Sequence, residues 1–295
     1  MLTEEQMKAR KGRVTSSVIY DVIHNPYRAW VRIMQLETPE QRAALENQNN
    51  IKIGNELEDL VRRVGADRLG VFSEKAPFRV HPVHAWAGDS ADAIFYTDAD
   101  DAAGSICAVG EVKTHGSGVA RRYSDEASNV IPEHVLTQCR WHLIHWPEVD
   151  VCHTVALLGG WELRLQVHGV ARNEEEEGKL LEAGARFHRD HILPGKPPAL
   201  DASEDSRESL RQRYSEPGEA MLTAGELTMG LIDRRKEIKA KMKPMEAELK
   251  ALDNQIKDAI GDGRGLIYGG RTVARYVDIK PSVINRSAYR QLRVM

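Results

Sequence analysis

The sequence predicts a mixed α/β fold, with a central mixed β-sheet flanked by helices and followed by a C-terminal helical extension and a small β-hairpin. The first 65 residues repeat apolar side chains at helical spacing. Six short runs rich in β-branched and apolar residues follow between residues 70 and 170, and a helical segment separates the fourth from the fifth. This order of helices and strands is typical of one sheet covered by helices.

The helices are expected as follows. Thr15 to Trp30 carries apolar residues at helical spacing after possible hydroxyl caps. Thr38 to Gly65, opened by a Thr-Pro pair, forms a second helical stretch that is broken near Asn47–Asn50. Pro132 to His145 and Asn173 to His191 complete the core, and the second of these starts with glutamates that favour a helix N-terminus.

The strands have the apolar and β-branched composition of a sheet, and the turn chemistry of Asp98–Gly104 indicates that two of them form an antiparallel hairpin. They are predicted at Gly70–Phe72, Phe78–His81, Ser90–Tyr96, Ile106–Lys113, Val151–Leu158 and Leu163–Val170.

The domain organisation is predicted to be a core over 1–200, a charged linker over 201–220 and a C-terminal region over 221–295. The C-terminal region contains a helical segment, about Thr223 to Ile260, which Pro244 is expected to kink or split. A helical hairpin is favoured over an extended coiled coil, because the apolar pattern of this segment spans only about three heptads. Gly269–Gly270 predicts a β-hairpin turn, and Arg264–Met295 is a basic tail. Six apolar residues in this segment alternate steps of four and three, a pattern called here the heptad seam: Ile238, Met242, Met245, Leu249, Leu252 and Ile256.

Composition indicates a globular chain without a membrane segment. It has 295 residues, 41% hydrophobic and 29% charged, with a net charge of −3, which argues against a uniformly basic nucleic-acid binder. No apolar run reaches the ~18 residues of a membrane span, and the N-terminal stretch lacks the apolar part of a secretory signal. Three scattered cysteines, Cys107, Cys139 and Cys152, argue against disulfides, a zinc site or an iron–sulfur cluster. We therefore expect a cytoplasmic protein.

The chemistry-bearing segment is Asp92 followed by Glu111-Val112-Lys113. Glu111 and Lys113 are two apart on a predicted strand and so share one face, and Asp92 starts the preceding strand. Two carboxylates and the Val112 carbonyl are hard oxygen ligands that suit Mg²⁺ or Mn²⁺. Lys113 could orient a water or stabilise a phosphorane-like transition state. An exposed, salt-bridged hairpin is the alternative that these residues alone leave open.

Flanking residues favour the catalytic interpretation. Glu58 precedes the sheet on a helix, Gln138 follows it on another, and the run from Arg10 to Ser17 lies upstream. The order and spacing of these residues resemble those of the phage lambda-type exonuclease family, also called the YqaJ-like viral recombinase family. This family belongs to the PD-(D/E)XK nucleases, and the resemblance covers most of the first 200 residues. The resemblance implies a restriction-endonuclease-like fold.

The resemblance also implies a metal-dependent exonuclease that degrades linear double-stranded DNA in the 5′→3′ direction, for phage-type recombination in a bacterial host. Such enzymes supply single strands to an annealing protein and often form rings of three. By resemblance, Asp92, Glu111 and Glu58 are metal-site carboxylates and Lys113 is the catalytic lysine. Gln138 positions water or substrate, whereas Arg10 and Ser17 contact the 5′-phosphate.

Some positions stay open at this point. Asp89 competes with Asp92 for the ligand role, and Glu56 is a weaker rival of Glu58, because it lies about 200° away around the helix. Ser117 and Arg121 belong to a glycine-containing loop that either grips phosphate or is an ordinary polar loop.

The aromatic residues and histidines give weaker expectations. Seven histidines between His81 and His153 lack a convincing metal-ligand context. His134 and His142 are expected at the surface, with DNA contact as the alternative. Trp86 is the best candidate for a side chain that wedges into a DNA end, although packing is the commoner role of a tryptophan.

Two rival functions remain. The chain could be another PD-(D/E)XK nuclease, of the structure-specific RecB-like or CRISPR-associated type, although these commonly carry four cluster-binding cysteines. It could instead be a non-catalytic scaffold that binds DNA or a partner through its C-terminal helices.

Overall fold

The structure is a computed structural model that describes residues 4–36, 43, 47–97, 106–200, 202, 204–214 and 221–277. Two compact units divide the chain, the first over Met1–Pro217 and the second over Gly218–Met295. The expected Thr38-Pro39 helix start, the Asp98–Gly104 turn and the tail from residue 278 lie outside the described residues.

The first unit begins with helices. They are α1 (Glu4–Arg10), α2 (Ser16–His24), α3 (Pro26–Ile33) and α4 (Asn49–Leu69). The single helix predicted over Thr15 to Trp30 is wrong, because Pro26 has no N–H to continue α2 and instead starts α3 at its first turn. Helix α4 starts at the predicted break and ends at Gly70, whose φ of 68° is left-handed.

The strands of the first unit are interrupted by one short and one long helix. In chain order these elements are β1 (Phe72–Glu74), β2 (Arg79–Val80), β3 (Gly88–Asp89), β4 (Ala93–Tyr96), β5 (Ile106–His115), α5 (Ser117–Ala120), α6 (Glu133–His145), β6 (Val151–Leu158) and β7 (Arg164–Ala171). Helix α7 (Glu174–Phe187) follows, continued by a π-helical turn over His188–Ile192 and then by α8 (Glu204–Arg213).

A mixed five-stranded sheet in the order β1-β4-β5-β6-β7 forms the centre of the described first unit. Strands β5 and β6 are parallel, whereas the other neighbours are antiparallel. One face packs against α4 through Val61 and Ala66, and the other packs against α6 through Val135 and Leu143. The predicted α/β architecture is confirmed.

Helices α2, α3 and α7 form a further layer that packs around Trp141 of α6. Helix α8 lies within residues 201–220, which were predicted to be a linker. The linker is therefore helical over Glu204–Arg213. Arg213 Nη1 of α8 donates to the Tyr27 hydroxyl of α3 at 2.9 Å, which fixes α8 to the first unit.

The second unit contains α9 (Glu226–Ile260) and a two-stranded hairpin of β8 (Gly265–Tyr268) and β9 (Arg271–Arg275). The helical hairpin expected here is wrong in the described residues, because α9 runs through Pro244 as one helix of 35 residues. A proline lacks the N–H of its own helical hydrogen bond and crowds the carbonyl four residues earlier, yet the helical turns continue on both sides of Pro244. The Gly269–Gly270 turn is confirmed, with φ values of 57° and 76°.

No helix among the described residues is long and apolar enough to cross a bilayer.

Candidate active site

Asp92 lies where the pairing between β4 and β5 ends. The ladder pairs Ala93 with Gly110, and the Asp92 amide still donates to the Gly110 carbonyl at 3.0 Å. Two residues further along β5, the Val112 amide donates to Asp92 Oδ2 at 2.8 Å instead of to a backbone carbonyl of β4. Since the N–H and C=O of a strand residue point to the same side, the Val112 carbonyl is directed to the edge that holds the Asp92 carboxylate.

Glu111 and Lys113 project from the face of β5 that packs against α6. The Lys113 ammonium forms an ion pair with Glu111 Oε1. The Glu111 side chain is only 3% exposed, whereas that of Lys113 is 21% exposed. Burial alone would raise the pKa of Glu111, but Lys113 and His142 outweigh it and lower the pKa to about 2. Glu111 is therefore ionised beside a charged lysine.

Asp92 has a different electrostatic environment. Its burial and the neighbouring Glu111 charge raise the pKa of Asp92 to about 7, against the opposing charge of Lys113. The charge of Glu111 thus disfavours ionisation of Asp92, and a divalent cation bound between the two carboxylates would relieve that repulsion.

His142 bridges two carboxylates, contrary to its expected surface position. It is fully buried, with Nδ1 at 2.7 Å from Asp89 Oδ1 and Nε2 at 2.6 Å from Glu111 Oε2. Burial alone would lower the pKa of His142, but Asp89 and Glu111 outweigh it and raise the pKa well above its usual value. The protonated ring donates to both carboxylates.

Asp89 is held away from the edge that Asp92 occupies. Its second oxygen, Oδ2, accepts from Trp146 Nε1 at 3.1 Å, and its side chain is fully buried. With both oxygens engaged by α6, Asp89 orients His142, whereas Asp92 remains beside Val112 and Glu111. The geometry favours Asp92 over Asp89 as a ligand.

Glu58 of α4 lies near Asp92, and its negative charge contributes to the raised pKa of Asp92. Its Oε1 is 3.4 Å from Lys75 Nζ, and its side chain is 33% exposed. Glu56, two residues earlier, is exposed. Glu58 is thus a neighbour of the carboxylate site rather than a hydrogen-bonded member of it.

Gln138 and Ser17 line one cavity of about 320 Å³ between α2, α3 and α6. Arg28 and Arg32 of α3 also line this cavity and lie 3.6 and 3.1 Å from Asp21 Oδ2. The lining residues share a polar character, and they are Ser16, Ser17, Tyr20, Asp21, Asn25, Arg28, Arg32, His134 and Gln138. The cavity can accept an anionic group.

Arg10 does not line the cavity, but its charged neighbours include Arg32, which lines it and donates to the Ser17 carbonyl at 3.0 Å. Arg10 donates to Ser90 Oγ. Burial lowers the pKa of Arg10, although the nearby Asp92 and Asp89 charges oppose this. Arg10 therefore lies near the carboxylates and near Arg32 of the cavity lining.

Ser117 and Arg121 are exposed on the short turn after β5. Arg121 Nε donates to the Ser117 carbonyl at 3.2 Å. Neither residue lines the cavity, so the structure does not join them to Ser17.

Trp86 packs inside the first unit. Its ring centroid is 6.5 Å from that of Trp141 and 5.8 Å from that of His188. This favours the packing role over a DNA wedge.

The residues fit a hard divalent cation with water completing its shell. Among the described residues, no three His, Cys, Asp or Glu side chains form a closed metal cluster. Mg²⁺ does not need one, since it commonly binds through one or two carboxylates and keeps several waters. Asp92, Glu111 and the Val112 carbonyl supply such a donor set at one edge of the sheet.

Comparisons with known proteins agree with this fold. Residues 5–145 match the model of the YqaJ-like viral recombinase domain, which confirms the family resemblance seen in the sequence. The uncharacterized protein YqaJ of Bacillus subtilis (strain 168) is 27% identical over 277 residues, covering 91% of this chain and 78% of that protein.

Two crystal structures of an alkaline exonuclease, LHK-Exo, have a similar fold. The structure of LHK-Exo from Laribacter hongkongensis has a TM-score of 0.51 and 18% identity, covering 65% of this chain and 95% of that one. The LHK-Exo complex with dAMP has a TM-score of 0.50 and 15% identity, covering 72% of this chain and 98% of that one.

Proposed function

We propose that this chain, whose residues 5–145 carry a YqaJ-like viral recombinase domain, is a metal-dependent deoxyribonuclease that degrades linear double-stranded DNA from its ends. The proposal rests on one observation: Asp92, Glu111, the Val112 carbonyl and the Lys113 ammonium lie close together where the pairing of β4 and β5 ends. Gln138 and His134 extend from this region along α6 into the polar cavity.

In the proposed mechanism, Asp92, Glu111 and the Val112 carbonyl would hold Mg²⁺ or Mn²⁺. When bound, the metal would polarise the scissile phosphate and lower the pKa of the attacking water. Lys113, held by Glu111, places a positive charge where negative charge develops on the phosphate. His142 holds Glu111 from the opposite side, and Glu58 and Gln138 orient water or substrate.

The cavity is proposed to hold the terminal 5′-phosphate. The Ser17 hydroxyl and the guanidinium groups of Arg28 and Arg32 are suitable donors for phosphate oxygens, and Arg10 contributes from the carboxylate side. Ser117 and Arg121 are proposed to contact the DNA backbone further out. A 5′-phosphate held beside the carboxylates would give cleavage a 5′→3′ direction.

The biological role proposed with this activity is phage-type recombination in the cytoplasm of a bacterial host. The enzyme would expose single strands for an annealing protein, and a ring of three copies would enclose the duplex. The resemblance of the chain to its family supports these proposals.

The test is degradation of end-labelled linear duplex DNA by the purified protein. We expect loss of duplex with Mg²⁺, none with EDTA, and faster loss from 5′-phosphorylated ends. Lys113→Ala should lower the rate by at least about 100-fold while leaving the protein folded and able to bind DNA. The exposed Lys179→Ala is the matched control and should retain full activity.

Three outcomes would redirect the proposal. Full activity of Lys113→Ala would remove the assignment of this site. Cleavage of a covalently closed circle would favour a structure-specific nuclease of the RecB-like or CRISPR-associated type. Duplex binding without hydrolysis under any divalent cation would favour the scaffold.

A further inference from the structure

The heptad seam of α9 is solvent-exposed in the described structure. No side chain of α9 is buried among the described residues. The exposed fraction of the seam residues runs from 45% at Ile238 to 69% at Met245. An isolated helix is marginally stable in water, and most helices are stabilised by packing an apolar face. This seam therefore needs a partner.

We propose that the partner is α9 of a second copy of this chain, paired antiparallel. The heptad assigns Met242, Leu249 and Ile256 to a positions and Ile238, Met245 and Leu252 to d positions. In an antiparallel pair, each a residue faces a d residue of the partner. A two-fold axis between residues 243 and 244 then pairs almost the whole of both helices.

This register is self-complementary in its apolar layers. Met242 faces Met245, Ile238 faces Leu249, and Leu231, one heptad before Ile238, faces Ile256. Two seam positions are polar. Arg235 faces Leu252, where its long aliphatic stem can pack and its guanidinium can reach water, and Thr228 faces Ala259 near the ends of the helices.

The charges flanking the seam select a partner of the same sequence. The basic flanking residues, Arg234, Lys239 and Lys241, lie in the first half of α9, and the acidic ones, Glu246, Glu248 and Asp253, lie in the second half. The antiparallel register brings Lys239 to Glu246 and Lys241 to Glu248 of the other copy. Opposite charges at flanking positions set the partner and orientation of paired helices.

Pro244 is compatible with this pairing. It occupies heptad position c, which points away from the seam, so its missing N–H lies on the solvent side of the helix. It also sits beside the two-fold axis, so a bend at Pro244 affects both copies equally.

Cysteine cross-linking of the full-length protein tests the orientation. Leu231→Cys and Ile256→Cys are prepared separately, mixed, and treated with a short bismaleimide. We expect a covalent dimer from the mixture and none from either variant alone, because identical positions lie about 38 Å apart in the antiparallel pair. The unsubstituted chain controls for Cys107. Cross-linking of each variant to itself would show a parallel pair and overturn the proposal.

Charge reversal tests the self-recognition by sedimentation mass. Lys239→Glu/Lys241→Glu should halve the mass, and so should Glu246→Lys/Glu248→Lys, whether α9 pairs single chains or joins two rings of three. Mixing the two variants should restore the mass, because their charges again complement each other. Unchanged mass in both variants, or no cross-link in the mixture, would overturn the proposal. The remaining partners for the seam would then be the first unit, residues 278–295 of the same chain, or another protein.

Discussion

His142 is the residue on which the alignment of Glu111 depends. It is buried between two carboxylates that would repel each other without it. We expect His142→Ala to lower the free energy of unfolding by about 3–5 kcal/mol, since buried charges lose their partner. We also expect activity, or the affinity for Mg²⁺, to fall about 10- to 100-fold. Thermal unfolding and cleavage rates over a Mg²⁺ series measure these effects.

The matched control is His145→Ala on the same helix. His145 is also buried, but its Nδ1 lies 2.9 Å from the Trp141 carbonyl. Its removal should cost stability without changing the Mg²⁺ concentration needed for half-maximal rate. An equal Mg²⁺ requirement in His142→Ala and the parent protein would contradict the positioning role.

Asp92 should make the stability of the metal-free protein depend on pH. Burial and Glu111 raise the pKa of Asp92 to about 7 in the folded chain, so the folded state holds a proton that the unfolded state releases at lower pH. The contribution of this group to the free energy of unfolding is fully present below about pH 4 and is lost as the pH rises through about 7. We expect Asp92→Asn to raise the melting temperature of the metal-free protein at pH 8, by on the order of several degrees, and not at pH 4.

Mg²⁺ should reproduce that stabilisation at pH 8 in the parent protein and much less in Asp92→Asn. A ligand that binds only the folded state raises its stability by mass action. Asp258→Asn, at an exposed position of α9 away from the seam and its flanking charges, is the control and should behave as the parent does. Equal stabilisation of all three proteins by Mg²⁺ would place the metal elsewhere.

Residue chemistry was predictable from the sequence where it depends on short spacing. Glu111 and Lys113 share a face because strand side chains alternate, and Asp92 follows from the neighbouring strand. The His142 bridge was not predictable, because its partners lie 31 and 53 residues away in sequence. Which face of α6 meets the sheet depends on packing.

At the scale of elements, α4 packs closely on the sheet at Gly65. A Cβ built at Gly65 would collide with the side chain of Val155 on β6. We expect Gly65→Ala to destabilise the protein by about 1–3 kcal/mol, because the helix must move off the sheet. Chemical denaturation of the metal-free protein measures the loss.

Gly54→Ala is the matched control in the same helix. A Cβ at Gly54 meets no atom within 4 Å, so alanine should stabilise the helix by about 0.5–1 kcal/mol. Opposite signs for the two substitutions are expected. A neutral Gly65→Ala would contradict the close packing of α4 on β6.

The elements that periodicity predicts well are those with a buried apolar stripe, such as α6 and strands β5 to β7. Helix α8 was not predictable, because Leu210 is its one apolar residue and small polar residues such as Ser206 and Ser209 supply its buried face. The continuity of α9 through Pro244 was also unexpected, because a proline inside a helix commonly kinks or ends it.

At the scale of the whole molecule, the two units differ in how they are stabilised. The three apolar clusters of the described chain belong to residues of the first unit. The second unit contributes a helix without buried side chains and a short hairpin. The first unit should therefore fold independently, while the second depends on association.

Removing residues 218–295 should separate catalysis from pairing. We expect residues 1–217 to unfold cooperatively within a few degrees of the full chain, because every apolar cluster is retained. The truncated protein should still degrade linear duplex DNA with Mg²⁺, and it should lose the two-copy association of α9. Calorimetry, the end-labelled DNA assay and sedimentation measure the three properties on one preparation. A folded but inactive truncated protein would show that the second unit takes part in DNA cleavage, whereas an unfolded one would show that the first unit requires it for stability.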